Sequence, residues 1–535
     1  MLRPSARGFE IGALALSMCL LFLPVAAAQV ETAGEPATAE AGEASEPAGF
    51  QAAFNEWFTE KINKPIDDVL YFKVFKTDHT WNNEEQVALP LIVVVLVIGG
   101  LFFTFRYGFI NIRLFRHSIQ VIRGKFDRPE DRGEVSHFQA LTSALSATVG
   151  LGNIAGVAVA MSVGGPGAVF WMWFTAFFGM SMKFTSCTFA QIYRRVHDDG
   201  RVMGGPMVYL EEGMKELSPW LAPIGKIFAI VFAVLVILAA FGAGNMFQGN
   251  QTASLIDHTF FGGGDSIAVK FGVGLIMSIL AGAVLIGGIR RIGEVTARLV
   301  PLMCLFYCGV CLTIIVMNIT EVPGVFAGII TSAFNPGAMF GGFVGVLVQG
   351  MRRAAFSNEA GLGSAAIAHA AARTEEPVRE GVVAMMGPFI DTIVVCSMTA
   401  FTILITEAHL ETGLEGVQIT AVAFSQLGLF ADYGLCLAVF IFAYSTMIAW
   451  GYYGERGVEY LFGLRAILPY RVLYVLTIAI GPLLSLAAVL DFGDKLLLAL
   501  AFPNIIGMAV ISKKVKIMTD DYVRRLQSGE MKPVR

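Results

Sequence analysis

Eleven stretches of this chain are apolar over close to the 20 residues an α-helix needs to cross the hydrocarbon core of a bilayer. They lie at about 87–105, 138–162, 167–192, 224–250, 267–288, 297–318, 340–368, 381–405, 432–453, 470–489 and 492–511. Of the 535 residues, 55% are hydrophobic and only 15% charged, which excludes an ordinary soluble domain. The expected fold class is all-α: a polytopic membrane protein of about 11 transmembrane helices, with membrane lipid as its surroundings.

A net charge of −4 gives no nucleic-acid footprint. Basic residues gather instead in short loops. Arg106, Arg113, Arg116, Arg123, Lys125, Arg128 and Arg132 follow the first span, and later groups are Arg194, Arg195 and Arg201, then Arg290 and Arg291, Arg373 and Arg379, and Arg456 and Arg465. The tail at 512–535 adds Lys513, Lys514, Lys516, Arg524 and Arg525, whereas loops 251–266 and 406–418 lack Lys and Arg. By the positive-inside rule the N-terminus lies outside and the C-terminal tail in the cytoplasm.

Residues 1–28 read as a cleavable signal peptide, with Arg3 and Arg7 ahead of the apolar run Ile11–Val25 and a small-residue site at Ala26–Ala28. An uncleaved first membrane helix is the alternative. Residues 29–49, with five Glu and no Lys or Arg, are expected to be a disordered periplasmic tail. Residues 50–86, with Phe54, Trp57, Phe58, Ile62, Ile66, Val69 and Leu70, are expected to form interfacial amphipathic helices. Cys187, Cys304, Cys308, Cys311, Cys396 and Cys436 all fall in apolar spans and read as small packing residues. An export signal without a cysteine scaffold points to the inner membrane of a Gram-negative cell.

Two spans are poor helices. Residues 146–156 carry Gly150, Gly152, Asn153 and Gly156, and residues 350–364 carry Ser357, Asn358, Glu359, Gly361 and Gly363. Each Gly costs about 1 kcal/mol relative to Ala inside a helix, and Asn favours local backbone bonding. Freed backbone groups are tolerated in hydrocarbon only where protein or a polar cavity satisfies them. The breaks fall in the second and seventh spans. Five spans separate them, so they cross in opposite directions, as in secondary transporters built from inverted repeats around a midplane site. Close packing of two glycine-rich helices is the bland alternative.

At Thr142–Gly156 and Phe356–Ser364 the chain resembles the alanine or glycine:cation symporter family, also called sodium:alanine symporters. Further matching stretches are Gly164–Trp173, Gly204–Met207, Phe241–Gln248, Asp391–Cys396 and Phe442–Thr446. Val149–Asn153 also looks like the first broken helix of the neurotransmitter:sodium symporters. The resemblance covers about residues 87–511 and implies a leucine-transporter-like 5+5 inverted-repeat core. Here 87–105 would be an extra N-terminal helix, 138–318 the first repeat and 340–511 the second.

An amino acid zwitterion needs donors for its carboxylate and acceptors for its ammonium, and unwound helix ends supply both. The carboxylate is assigned to the N–H groups around Gly152 and Asn153, helped by the Asn153 amide; a structural cap on the second half-helix is the alternative role for Asn153. Many relatives carry Thr at the position of Leu151, so that hydroxyl is absent here. By resemblance, sodium would be held by the carbonyls of Ser146 and Val149 and the hydroxyls of Ser445 and Thr446; back-bonding of those hydroxyls within their helix is the alternative. Trp450, four residues after Thr446, shares its helix face and would wall off a small substrate. The family's matching residues make Gln248 a substrate contact and Phe356 a pocket wall. Arg352, Arg353, Glu359 and Asp391 are ionisable residues inside apolar spans, which implies pairing or a functional path. Glu359 and Asp391 are candidates for coupling or gating. His369 and Lys183 read as ordinary span-end residues.

The expected function is symport of alanine or glycine with sodium by alternating access. Proton coupling through Glu359 or Asp391 is the alternative within that class. A multispan enzyme would need a nucleophile–base pair or metal cluster, and no HExxH, GxSxG or paired His–carboxylate spacing occurs in the sequence. A passive channel is the third class.

Overall fold

The structure is a computed structural model that describes residue 60 and residues 73–81, 85–128, 130–198, 200–262, 266–286, 288–335, 342–411 and 413–534. The leader 1–28 and the acidic segment 29–49 lie outside the described residues, as do all of 50–72 except Glu60. Interfacial helices do not continue through residue 86. Lys73–Trp81 (β1) pairs antiparallel with Glu85–Pro90 (β2) instead. Val74, Phe75, Thr77, Thr80 and Trp81 are β-branched or aromatic, and this composition favours an extended strand.

Pro90 then opens the first apolar helix, α1 (Leu91–Arg106). The second expected span is two helices, α2 (His137–Thr148) and α3 (Ala155–Gly164), bent by 58° at the glycine run. A capping box starts α2: Ser136 Oγ accepts from Gln139 N–H while Gln139 bonds back to Ser136 N–H. α4 (Gly167–Tyr193) is continuous over 27 residues. α5 (Ala222–Phe241) and α6 (Phe247–Phe261) form one line with a widened i→i+5 turn between them at Gly242–Met246. α7 (Ile267–Leu285) and α8 (Gly288–Met317) complete the first half.

The second half begins with another broken span, α9 (Gly342–Asn358) and α10 (Ala365–His369). α11 (Pro377–Ala384) leads through a second widened turn, Phe389–Cys396, into α12 (Ser397–Ile405). α13 (Leu429–Phe462) has 34 residues, roughly 50 Å of helix, well beyond the hydrocarbon thickness. α14 (Ile467–Ile480), α15 (Leu486–Ala499) and α16 (Ala501–Ile511) follow.

Among the described residues seven helical stretches are long and apolar enough to span a bilayer, eight if α2 and α3 count as one. The sequence expectation was about eleven. The others have identifiable reasons: α1 has only 16 residues and α9 only 17, and the apolar character of α4 is diluted by the buried Lys183 and by its Ser and Thr residues. The chain is nonetheless an all-α polytopic membrane protein. α7 and α8 expose Leu275, Ile279, Leu302 and Leu305 outward, as lipid-facing helices do. The polar breaks are enclosed, with α4 packed on α9 and α11, α5 on α13, and α2 on α8 and α13.

Small residues make the α4–α9 contact possible. An ideal Cβ on Gly350 would sit 2.4 Å from the Ala168 carbonyl oxygen and 2.6 Å from Trp171 Cβ. Gly350→Val should therefore overpack this interface by about 1–3 kcal/mol. The expected readout is a lower melting temperature in detergent; an unchanged one would rule out so close a contact.

Candidate functional site: two helix breaks around a small cavity

The first break is organised by Asn153. After α2 ends, Val149 leaves the helical region, Gly150 is extended and Leu151–Asn153 makes one tight turn. The Asn153 Oδ1 accepts from the Gly150 N–H at 3.0 Å. Its amide donates to the Asp391 carboxylate at 2.8 Å and to the Asp391 carbonyl at 3.2 Å. Gln248 supplies the next cap, accepting from the Leu151 N–H at 3.2 Å. Of the N–H groups freed at the break, that of Gly150 is satisfied by the break's own Asn153 and that of Leu151 by Gln248 on α6, as burial requires.

The second break is held from the same carboxylate. Ser357 Oγ and Thr392 Oγ1 donate to Asp391 Oδ1 at 2.5 and 2.8 Å. Asn358 donates to Thr392 Oγ1 and accepts from the Ala360 N–H, both at 2.9 Å. The chain then turns through left-handed positions at Glu359 (φ 55°), Gly361 (φ 84°) and Gly363 (φ 89°). A non-glycine residue in that region is uncommon, and Glu359 is held there by Ser364, whose hydroxyl donates to its carboxylate.

The sites assigned to a cation converge in part. Thr446 Oγ1 on α13 lies 2.9 Å from the Ser146 carbonyl oxygen, to which it donates. Ser146 Oγ donates in turn to the Ser445 carbonyl at 2.6 Å. Ser445 Oγ bonds back to the Phe442 carbonyl at 2.9 Å and lies 3.7 Å from the Met303 sulfur. Val149 is buried, with its N–H bonded to the Leu145 carbonyl.

A small cavity lies between the breaks. Of the residues singled out from sequence, Gly152, Gln248, Phe356, Glu359 and Trp450 line it, joined by Ala147, Thr148, Gly150, Ala243 and Leu497. Thr446 stands behind Gly150, where an added Cβ would sit 2.3 Å from its hydroxyl. The Phe356 ring meets Phe247 edge-on at 5.2 Å. Gly244 allows the widened turn to press on Trp450, whose Cβ would be 2.3 Å from an added Cβ. Asn153 is not in the lining; its side chain is the brace to Asp391.

A profile for the sodium:alanine symporter family matches residues 75–535. The chain belongs to that family. The sodium/alanine symporter AgcS of Methanococcus maripaludis is 42% identical over 434 residues, spanning 79% of this chain and 92% of the relative. An uncharacterized transporter of Haemophilus influenzae is 40% identical, over 81% of this chain and 94% of its own length. The probable sodium/glutamine symporter GlnT of Bacillus subtilis is 35% identical over 82% and 89%. This sodium:alanine symporter family member is therefore a cation-coupled amino acid transporter and not an enzyme.

Two groups read from sequence as ordinary prove central to the symporter's interior. Lys183 is not at a span end but 2% exposed, with Nζ donating to the Asn358 carbonyl at 3.0 Å. His369 is fully buried, with Nδ1 2.5 Å from Glu380, a carboxylate that His137 also reaches. That His–Glu–His cluster joins the start of α2 to the end of α10. His369 and Glu380 are 11 residues apart, but His137 lies 243 residues from Glu380, which no spacing motif reveals.

Asn153→Ala removes one partner from the Gly150 N–H and one from Asp391. An unsatisfied buried group costs about 1–3 kcal/mol, so a clear drop in melting temperature in detergent is expected. A variant as stable as the parent would show that the brace is dispensable.

Proposed function

We propose that the protein imports alanine and glycine in symport with sodium, by alternating access, across an inner membrane with its N-terminus periplasmic and its C-terminus cytoplasmic. One observation carries this reading. The Thr446 hydroxyl and the Ser146 carbonyl meet at the carbonyl end of α2, one residue layer behind the cavity wall. Helix C-termini favour cations, and two oxygens already converge there. Sodium is cargo at this place, with the Val149 carbonyl and Ser445 as further ligands.

The amino acid occupies the cavity. Its carboxylate is taken by N–H groups around Gly152, in competition with the Gln248 oxygen that accepts from Leu151 N–H. Asn153 then acts as a positioning residue, shaping the turn from Gly150 to Leu151, while its side chain stays on Asp391. Phe356 and Trp450 bound the side-chain end of the cavity, which supports a small substrate over the glutamine named for GlnT. Because Ser146 and Gly152 belong to one broken span, sodium that orders the break raises amino acid affinity, and by reciprocity the amino acid raises sodium affinity. Glu359, on the cavity wall, and Asp391, on the brace, are the gating candidates.

Two measurements in proteoliposomes test this. Counterflow with a panel of small amino acids should be strongest for alanine and glycine and should require sodium, also with the proton gradient collapsed; sodium-independent exchange would overturn the reading. Thr446→Ala should raise the half-saturating sodium concentration at least about tenfold, equivalent to about 1.4 kcal/mol. Ser445→Ala should have the smaller effect, because that hydroxyl is already bonded within its own helix. An unaltered sodium dependence in Thr446→Ala would remove the proposed clamp.

A further inference from the structure

We infer that Tyr474, a residue of α14 behind the cavity wall, sets how large a side chain the cavity accepts, by holding the Gly242–Met246 turn against α13. Tyr474 is then a positioning residue that acts through Trp450, a role that rests on the cavity being the amino acid site.

Two of the lining residues come from this junction, Ala243 from the widened turn and Trp450 from α13. The junction is close-packed at Gly244, where an added Cβ would lie 2.5 Å from Trp450 Cγ. The spacing of turn and helix therefore places the indole relative to the Ala243 wall. A widened turn departs from the helical ladder, and its buried carbonyls need other partners. The Ala243 carbonyl accepts from the Gln248 amide at 3.0 Å. The Gly244 carbonyl accepts from the Tyr474 hydroxyl at 3.3 Å, and the same hydroxyl donates to the Met447 carbonyl on α13 at 2.9 Å. Met447 stands between Thr446 and Trp450 on that helix. One phenol thus bridges the turn and the helix.

The bridge is anchored from the turn as well. Asn245, the next residue, donates its amide to the Tyr474 carbonyl at 2.8 Å and to Thr477 Oγ1 at 2.9 Å. Tyr474 and Asn245 are both fully buried, so a bond lost here is not replaced by water. The Tyr474 ring packs against Phe241 and Tyr470, each with centroids 5.7 Å away. An added Cβ on Gly451, beside Trp450, would lie 3.1 Å from its Cε1. Phenylalanine keeps these ring contacts and loses only the hydroxyl. α13 itself stays bonded to Ser146 through Thr446 and the Ser445 carbonyl. Loss of the hydroxyl therefore frees the turn and leaves the oxygen pair in place, so side-chain size and sodium dependence separate as readouts.

Initial rates of alanine, 2-aminobutyrate and valine uptake into proteoliposomes test this on the intact protein. The parent should prefer alanine to 2-aminobutyrate, one methylene larger, by about tenfold or more in Vmax/KM. A parent that takes valine as readily as alanine overturns the small-substrate reading of the cavity itself. Tyr474→Phe should lower the alanine preference at least about fivefold, as loss of one buried hydrogen bond would. The change should appear in KM, with the half-saturating sodium concentration as in the parent. An equal loss of rate for all three amino acids, with the preference kept, would make Tyr474 a purely structural residue and overturns the inference. A double-mutant cycle tests the route through Trp450. Trp450→Phe should lower the preference too, and in that background Tyr474→Phe should change it little further, because both act on one wall. Independent, fully multiplicative effects contradict that route. If Tyr474→Phe does not fold, Thr477→Val decides. Removing one of the two Asn245 acceptors should lower the preference at least about twofold, and an unchanged preference overturns the inference.

Discussion

Asp391 is the bond on which the two helix breaks depend. Unwound backbone is stable inside a membrane protein only where other parts of the protein take over its hydrogen bonds. One carboxylate does this for both breaks, through Asn153 on one side and Ser357 on the other. Each donor in turn fixes local structure: Asn153 holds the Gly150 N–H, while Thr392, also bonded to Asp391, receives the amide of Asn358. Such a chain of charge-assisted bonds ties the geometry of one break to that of the other. A ligand that orders either break therefore acts on both.

Around that centre, α4 serves as the cap for the second broken span. Lys183 meets the carbonyl end of α9, and two turns later Gln191 and Arg194 donate to the carbonyls of His369, Ala370, Ala372 and Thr374 beyond α10. Helix ends otherwise leave such carbonyls without partners. Glu380 receives both His137 and His369 and so joins the outer ends of α2 and α10. The second broken span is thus fixed at both carbonyl ends by positively charged side chains. The first is met at its carbonyl end by the neutral Thr446 hydroxyl.

Legibility in the sequence followed the range of the interactions. The breaks were readable because Gly150, Gly152, Gly361 and Gly363 act locally, on the residues beside them. Most of the apolar spans were readable for the same reason, since length and composition suffice. Asn153 was readable as special, but its partner Asp391 lies 238 residues away, and so its amide was assigned to substrate when it braces the fold. Lys183 looked ordinary because Asn358 is 175 residues distant, and the His137–Glu380 contact spans 243. The widened turns at Gly242–Met246 and Phe389–Cys396 left only a weak trace, the Gly242, Gly244 and Asn245 cluster. The strands at 73–86 were missed because the expectation for 50–86 was carried by Phe54 to Leu70, while the strand-favouring Val74, Phe75, Thr80 and Trp81 were not weighed.

α13 gives the last link between geometry and transport. It carries the Thr446 hydroxyl at the carbonyl end of α2 and, one turn on, the Trp450 indole at the cavity wall. Glycines make both approaches possible, Gly150 beneath Thr446 and Gly244 beneath Trp450, where any Cβ would force the helices apart. Packed elements of this kind shift as units between discrete arrangements and do not deform continuously. A displacement of α13 relative to α2 therefore alters the oxygen pair and the cavity wall together. With the ion and the amino acid at the proposed sites, their coupling would need no separate relay, because both sites lie against the same helix.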